Sequence, residues 1–303
     1  MIVATGLTPA WQQILRFESF HVGEVNRAAE AVWCASGKVL NVGLALAHLG
    51  AECLTVAPLG GLPTSAIERE FAALGARAQW LQAAAATRVC TTILDSASGR
   101  TTELVENAAP LTPAELQAFV EAYTVAASTA DTVVLTGSLP AGTPPTIYRK
   151  LLSKTKGRAV IDARGPELLA ALEARPFLVK PNREELARTV SRPLACDDDV
   201  LAAMRELNAR GATWVVVTQG KEAVWVTSAL VTERLESLRV EEIVNPIGCG
   251  DCLAAGIAWG LERGHEPLEA IRLGIAAAAE NVRQLLPARL DPRRVEELAA
   301  AVR

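Results

Sequence analysis

Short apolar runs alternate with longer stretches of helical period along most of this chain, and that alternation limits the folds open to it. Residues 2–5, 54–58, 132–136, 159–162, 177–180 and 214–218 read as short buried strands. Helical patterns fill the intervals at 39–49, 65–74, 113–126, 144–154, 167–173 and 198–209. Three more close the chain at 252–263, 268–285 and 292–302. The repeated order predicts an α/β fold, a mostly parallel sheet flanked by helices on both faces. With no internal repeat and no Gly/Ser linker, residues 1–303 are predicted to form one main domain.

Two stretches depart from the alternation. Residues 14–31 are moderately polar and lack a helical period, while 89–95 and 101–105 read as two short strands around a Gly-containing turn. Both are assigned to a small β-structured flap inserted into the main domain, over approximately 11–31 and 88–106.

A half-hydrophobic chain with 21% charged residues has enough apolar side chains for a core and is not a disordered one. The net charge of −4 argues against a nucleic-acid partner, yet leaves room for a local basic pocket. No unbroken apolar run is long enough to span a bilayer. The first residues, MIVATGLTPAWQQ, show no basic region or apolar stretch of signal-peptide length, so the expected location is cytoplasmic. The six cysteines are scattered rather than arranged as a disulfide framework.

The chemistry is concentrated in Asn245-Pro246-Ile247-Gly248-Cys249-Gly250-Asp251-Cys252, which runs into an Ala- and Gly-rich helix. Glycines let the backbone approach a ligand, and the free N–H groups at a helix start form an anion site. An Asp placed there can accept the proton of an attacking hydroxyl while the amides hold a phosphate. A plainer reading makes Asp251 only the N-cap of a well-packed helix.

Other strand ends carry polar groups. Lys180-Pro181-Asn182-Arg183-Glu184-Glu185 follows a strand and opens a helix, where α/β sheets bind ligands. Asn182 and Glu185 share a helix face and are oxygen donors of the kind Mg²⁺ uses, often through water. They also fit a Pro-introduced helix start with a solvated Glu. Leu135-Thr136-Gly137-Ser138-Leu139-Pro140 is another strand end, and Ser36-Gly37-Lys38 precedes a helix that either binds phosphate or is simply capped there.

Taken together and in this order, these segments resemble the PfkB (ribokinase-like) carbohydrate kinases over nearly the whole chain, in the phosphofructokinase and tagatose-6-phosphate kinase branch. Thr8-Pro9-Ala10 is similar to the family's NPALD segment, Val25-Asn26-Arg27 to VNR, and 36–41 (SGKVLN) to GGKGxN. Thr87-Arg88-Val89 is similar to the TR-I/V strand and 135–140 to LSGSLP; 180–185 matches KPNREE and 248–251 resembles GAGD.

The resemblance implies a ribokinase-like core with a β-flap lid, ATP as phosphoryl donor with Mg²⁺, and a phosphorylated ketose as acceptor. It implies Asp251 as general base, with Gly248, Cys249 and Gly250 as the backbone anion hole. Asn182 and Glu185 would organise Mg²⁺ and the phosphates, Lys180 would lie near the nucleotide phosphates, and Thr218 and Gly220 would border the nucleotide. Gln12, Arg27, Gly37, Lys38, Asn41, Arg88 and Ser138 fall at positions that hold the sugar phosphate. Lone Arg88 would otherwise read as a solvated edge charge. Flap strands in this family often pair between subunits, which makes a homodimer through the lid an expectation.

The chain departs from the pattern at Gln12, which stands in place of a sugar-contacting Asp. It also has Thr8 for Asn, Ser36 and Val39 for glycines, and Pro246 for the usual Thr. Phosphoryl transfer is therefore expected to persist while the acceptor differs from fructose 1-phosphate or tagatose 6-phosphate. Cys249 and Cys252 make a CxxC at a helix start, where a thiol's pKa falls. As replacements for Ala and for Ser or Ala they read instead as size-preserving packing. Two rival functions remain: a non-catalytic sugar-phosphate sensor, and a kinase of an unphosphorylated sugar or nucleoside. A Rossmann dehydrogenase is opposed by the absence of GxGxxG after the first strand.

Overall fold

The computed structural model describes residues 1–302. Its strands, numbered along the chain, are β1 (Ile2–Thr5), β2 (Ala10–Phe17), β3 (Glu30–Ser36), β4 (Cys53–Leu59), β5 (Arg77–Gln82), β6 (Arg88–Asp95) and β7 (Arg100–Val105). They continue with β8 (Thr132–Thr136), β9 (Arg158–Asp162), β10 (Leu178–Val179), β11 (Trp214–Val217), β12 (Val224–Thr227) and β13 (Thr232–Leu235). The helices are α1 (Lys38–His48), α2 (Thr64–Ala73), α3 (Pro113–Ala127), α4 (Ile147–Leu152) and α5 (Gly165–Leu172). After them come α6 (Arg183–Thr189), α7 (Asp197–Ala209), α8 (Cys249–Glu262), α9 (Pro267–Asn281) and α10 (Pro292–Ala299).

Nine strands form the main sheet in the order β13-β12-β11-β10-β9-β8-β1-β4-β5. The strands from β11 to β5 are parallel, and β12 and β13 add an antiparallel hairpin at one edge. Side chains alternate across the sheet as a period of two requires. Ile2, Ala4, Val134 and Val160 pack with α1, α8 and α9 on one face. Val3, Val133, Leu135 and Ile161 pack with α3, α4, α5 and α7 on the other.

The expected strands are all present; β2, β3, β5, β12 and β13 are additions, β2 and β3 falling partly in the stretch assigned to the flap. β5 (RAQWLQ) and β13 (TERL) lie at the sheet edges with polar residues interrupting the apolar ones, so no apolar run announces them. The helix expected over 268–285 ends at Asn281, and the one expected over 292–302 ends at Ala299.

The two stretches that break the alternation meet in a separate four-stranded sheet, order β3-β2-β6-β7. Residues 14–31 contribute the end of β2, a connecting segment and the start of β3. One face of this sheet packs Ile14, Cys34 and Leu94 against Leu285 and Leu286, which follow α9.

Candidate active site

Strand order reverses between β1 and β8, which run parallel: from β1 the main sheet grows outward through β4 and β5, then the chain returns to build β8 to β11 on the other side. Such a switch point opens a crevice at the carboxyl ends of the strands. Those ends deliver Thr8 beyond β1, Ser138 beyond β8, Asp162 on β9, Lys180 beyond β10 and Thr218 beyond β11. A groove of about 810 Å³ lies at the opposite end, lined in part by Arg158, Phe177 and Leu261. It sits where strands begin and helices end, away from every residue named above.

Two helix starts wall the crevice. Gly37 caps α1 at φ 80°, and a Cβ there would lie 2.9 Å from Thr8 O and from Ala10 N, so only glycine fits. Gly248 caps α8 at φ 84°, with Pro287 where a Cβ would go. Asp251 is therefore inside the first turn of α8 rather than its cap, and the capping reading is corrected. Its carboxylate is buried and accepts a hydrogen bond from Asn41 Nδ2 at 2.7 Å. Asn41 Oδ1, also buried, has no partner among the described residues.

A chain of charges runs across the crevice floor. Lys38 Nζ lies 3.0 Å from Asp162 Oδ1 and 3.3 Å from Glu185 Oε1, and Lys180 Nζ is 3.3 Å from Asp162 Oδ1. Asp162 is fully buried; burial alone would raise its pKa, but the ammonium groups of Lys180 and Lys38 outweigh it and hold the carboxyl below the usual range. The Lys38 ammonium is held protonated above its ordinary value: burial opposes this, but Asp162, Glu185 and Asp251 prevail. Burial pushes Asp251 up to about 7, with Asp162 adding to the rise and Lys38, Asn41 and Lys180 opposing it. Lys180 also approaches the glycine turn, since a Cβ on Gly250 would sit 3.5 Å from its Nζ.

Asn182 caps α6 in a reciprocal box: its Oδ1 accepts from Glu185 N at 2.8 Å, and its own N–H donates to Glu185 Oε2 at 3.0 Å. Glu185 is thus buried and bonded, not solvated. The same loop bridges to Thr218, whose carbonyl accepts from Arg183 N at 3.0 Å; Gly220 follows in the exposed turn.

The structure thereby brings Lys38, Lys180, Asn182 and Glu185 into one bonded network through Asp162, with the bonded pair Asn41 and Asp251 beside it. Asp162 joins them and was missed; its signal in the sequence is an acid at the carboxyl end of an apolar strand, RAVID. Gln12 is buried and donates from Nε2 to Thr92 Oγ1 at 2.6 Å within the small sheet. Arg88 donates to the carbonyls of Pro9, Thr8 and Glu106 at 3.1–3.4 Å, anchoring that sheet to the strand β1 exit. Ser138 is exposed, and its carbonyl accepts from Thr8 Oγ1 at 3.2 Å. Arg27 lies in the exposed segment between β2 and β3. The thiols are not activated: burial pushes Cys249 up to about 11 and Cys252 well above its ordinary value.

Among the described residues no cluster of three or more His, Cys, Asp or Glu is placed to hold a metal directly. No helix among them is long and apolar enough to cross a membrane.

Backbone N–H groups at a glycine turn, facing lysines and a buried carboxylate, are the apparatus of phosphotransferases. The profile described as "pfkB family carbohydrate kinase" matches residues 1–292, and the chain belongs to that family. It is a carbohydrate kinase. The chain is 32% identical to the 1-phosphofructokinase of Rhodobacter capsulatus, covering 99% of this chain and 96% of that one. It is 28% identical to the 1-phosphofructokinase of Haemophilus influenzae, over 93% and 91% of the two. Phosphofructokinase-2 from Escherichia coli, solved in complex with fructose-6-phosphate, superposes with a TM-score of 0.88 at 26% identity, over 99% of both chains.

Proposed function

We propose that this chain transfers the γ-phosphoryl group of ATP to a hydroxyl of a phosphorylated ketose, in the manner of a 1-phosphofructokinase or tagatose-6-phosphate kinase, as a cytoplasmic enzyme of one kinase domain. The observation that carries this reading is Asp251: a buried carboxylate, titrating near neutrality, at the glycine turn that opens α8. The acceptor hydroxyl gives its proton to Asp251 as its oxygen attacks the γ-phosphorus of ATP and ADP leaves. The unpartnered Oδ1 of Asn41 is an acceptor for a second substrate hydroxyl. Negative charge growing on the transferred group meets the N–H groups of Gly248 and Gly250, that of Cys249 once it leaves the Pro246 carbonyl it bonds at 3.4 Å, the positive end of α8 and the Lys180 ammonium. Asp162 keeps Lys38 and Lys180 in place. The small sheet, set beside the crevice by Arg88, acts as the lid over residues 11–31 and 88–106.

Asn182 and Glu185 supply oxygens suited to hold hydrated Mg²⁺. Because the oxygens of Asn182 and Glu185 already bond within the capping box and to Lys38, they fit a metal through water rather than directly. Magnesium there supplies neutralisation of the ATP phosphates.

A kinase of an unphosphorylated sugar is the second reading, favoured by one observation. Three of the five Arg88 N–H groups are bound to backbone carbonyls and Arg27 is solvent-facing, so the cations for an acceptor phosphate are only partly assembled. Assays with MgATP against paired phosphorylated and free ketoses separate the two. The phosphorylated form is expected to have the higher kcat/KM, and Arg88→Ala to lower that value by about 10–100-fold, the scale of a charge-assisted bond. Equal preference for both forms, untouched by Arg88→Ala, would remove the sugar-phosphate acceptor. No turnover with any sugar would favour a sensor.

A further inference from the structure

Segment 281–289, from the last residue of α9 toward α10, bonds to one wall of the crevice and reaches the other through Glu70. At its start Asn281 is fully buried, and its amide makes four bonds. Its Nδ2 donates to the Ile247 carbonyl at 2.9 Å and to Cys249 Sγ at 3.3 Å. Its Oδ1 accepts from Ala288 N at 2.6 Å and from Cys252 Sγ at 3.3 Å. Three of these partners belong to the glycine turn and the first turn of α8, on either side of Asp251. Farther along, Leu285 and Leu286 pack against Ile14, Cys34 and Leu94 of the small sheet. At its end Arg289 pairs with Glu70 of α2, whose other oxygen accepts from Ala35 N at 2.6 Å. Ala35 stands directly before Ser36-Gly37-Lys38, the root of α1.

The segment is built for rigidity. Ala288 is buried and holds φ 64°, a left-handed conformation uncommon for alanine, with its N–H delivered to Asn281. An amide with donor and acceptor both engaged has no alternative arrangement of comparable energy, and buried networks so satisfied fix one geometry. The turn bearing Asp251 and the root bearing Lys38 come from distant parts of the chain. Their one hydrogen bond at the site runs from Asn41 to Asp251, beside the apolar packing of α1 on α8.

We propose that segment 281–289 is a brace that keeps the glycine turn in register with the root of α1, and that Asn281 and Arg289 are positioning residues for phosphoryl transfer. The proposal rests on the kinase reading of the site, and the test separates the two. Arg289→Met, Asn281→Ser and the double variant are compared with the unaltered protein in kcat, in KM for ATP, and in amide hydrogen exchange without substrate. Each single substitution is expected to lower kcat about 10–100-fold, the effect of an ångström-scale misplacement, while KM for ATP stays within about threefold. The double variant is expected to be no worse than the weaker single one, because either change opens the same brace. Arg289→Lys is expected to restore most of kcat.

Exchange supplies the readout that needs no turnover. Arg289→Met is expected to speed exchange across 245–252, and Asn281→Ser across 30–37, each at the far end of the brace. Additive losses in kcat, or faster exchange confined to the neighbourhood of each substitution, overturn the proposal. If Asn281→Ser does not fold, Glu70→Gln takes its place with the same expected spread to 245–252. Faster exchange at both ends in a protein that phosphorylates no sugar would uphold the brace and sink the acceptor reading instead.

Discussion

Asp251 places a charge where the surroundings resist it, and that gives two pH-dependent consequences. A base titrating at about 7 is free to accept a proton only above that pH. The kcat/KM of the free enzyme is therefore expected to rise with pH and level off above roughly 7, and Asp251→Asn to lower kcat by roughly 10²–10⁴-fold. The stability effect has the opposite sense. A carboxyl whose pKa rises on folding binds its proton more tightly in the folded chain, so stability falls as pH climbs from roughly 4 to 7. Asn at this position carries no such charge, and Asn41 loses only one charged partner. Asp251→Asn is accordingly expected to be the more stable protein at pH 8, by on the order of 2–4 kcal/mol, with the advantage gone near pH 4. Melting curves at the two pH values check this; an Asn variant that is less stable at pH 8 would show that the carboxylate is well solvated. Asp162 is the counter-case. Its pKa is depressed, so its contribution is present above the unfolded carboxyl range and is lost as pH falls through its folded value. Asp162→Asn leaves the buried Lys180 ammonium without its carboxylate and half-buried Lys38 with Glu185 alone, and is expected to destabilise at neutral pH by about 3–5 kcal/mol, measured by urea unfolding.

Helix α6 shows how one element serves both stability and the site. The Asn182–Glu185 box satisfies two orphan N–H groups at the helix start, and the same Glu185 reaches Lys38 with its other oxygen. Asn182→Ala is expected to cost about 1 kcal/mol in urea unfolding. Glu185→Gln keeps an acceptor for the Asn182 N–H but loses the charge, so the Mg²⁺ concentration for half-maximal rate is expected to rise with little change in unfolding. Unaltered Mg²⁺ dependence at saturating substrates would confine Glu185 to the capping role. At this scale the sequence was largely legible. Buried strands such as β8 (TVVLT) and β11 (WVVV) are apolar on both faces and cannot be mistaken for loops. β5 and β13 were not legible, because an edge strand needs apolar residues on one face at most and its pairing is decided by the neighbour. In the site, the glycine turn and the 180–185 segment announced themselves through Gly, Pro and Asn, whose backbone constraints are local. Asp162 and Asn281 did not, since each owes its role to partners distant in sequence: Lys38 and Lys180 for one, the α8 turn for the other. Arg88 read on its own as a solvated edge charge and not as the anchor of the small sheet, which depends on carbonyls distant in sequence.

Over the whole molecule, the small sheet is the part least able to stand alone. Four strands have one face packed on Leu285 and Leu286, while the opposite face carries Trp33, Gln13, Thr91 and Leu104 side by side in register. Trp33 is 46% exposed and Leu104 55% exposed, and Trp33 stacks on Trp11 with ring centroids 6.1 Å apart. The connecting segment adds Val22 and Val25, both almost fully exposed. Apolar groups gathered on one face mark a surface meant to be covered, and the free edges of β3 and β7 offer unpaired backbone groups beside them. We propose that a second copy of the chain covers this face, lid against lid. A twofold contact is the economical arrangement, because it lets the same row, apolar at both ends and polar in the middle, meet itself. Trp33→Glu combined with Leu104→Glu sets like charges against each other across the twofold axis while touching nothing in the main sheet. The protein is expected to sediment as a dimer at about 10 μM, a concentration at which interfaces of standard size are occupied. The double variant is expected to sediment as a monomer with an unchanged far-UV spectrum. A wild-type monomer at that concentration, or a variant that stays dimeric, would move the subunit contact elsewhere or abolish it. The lid would then have to order itself on Leu285, Leu286 and the Arg88 anchor alone.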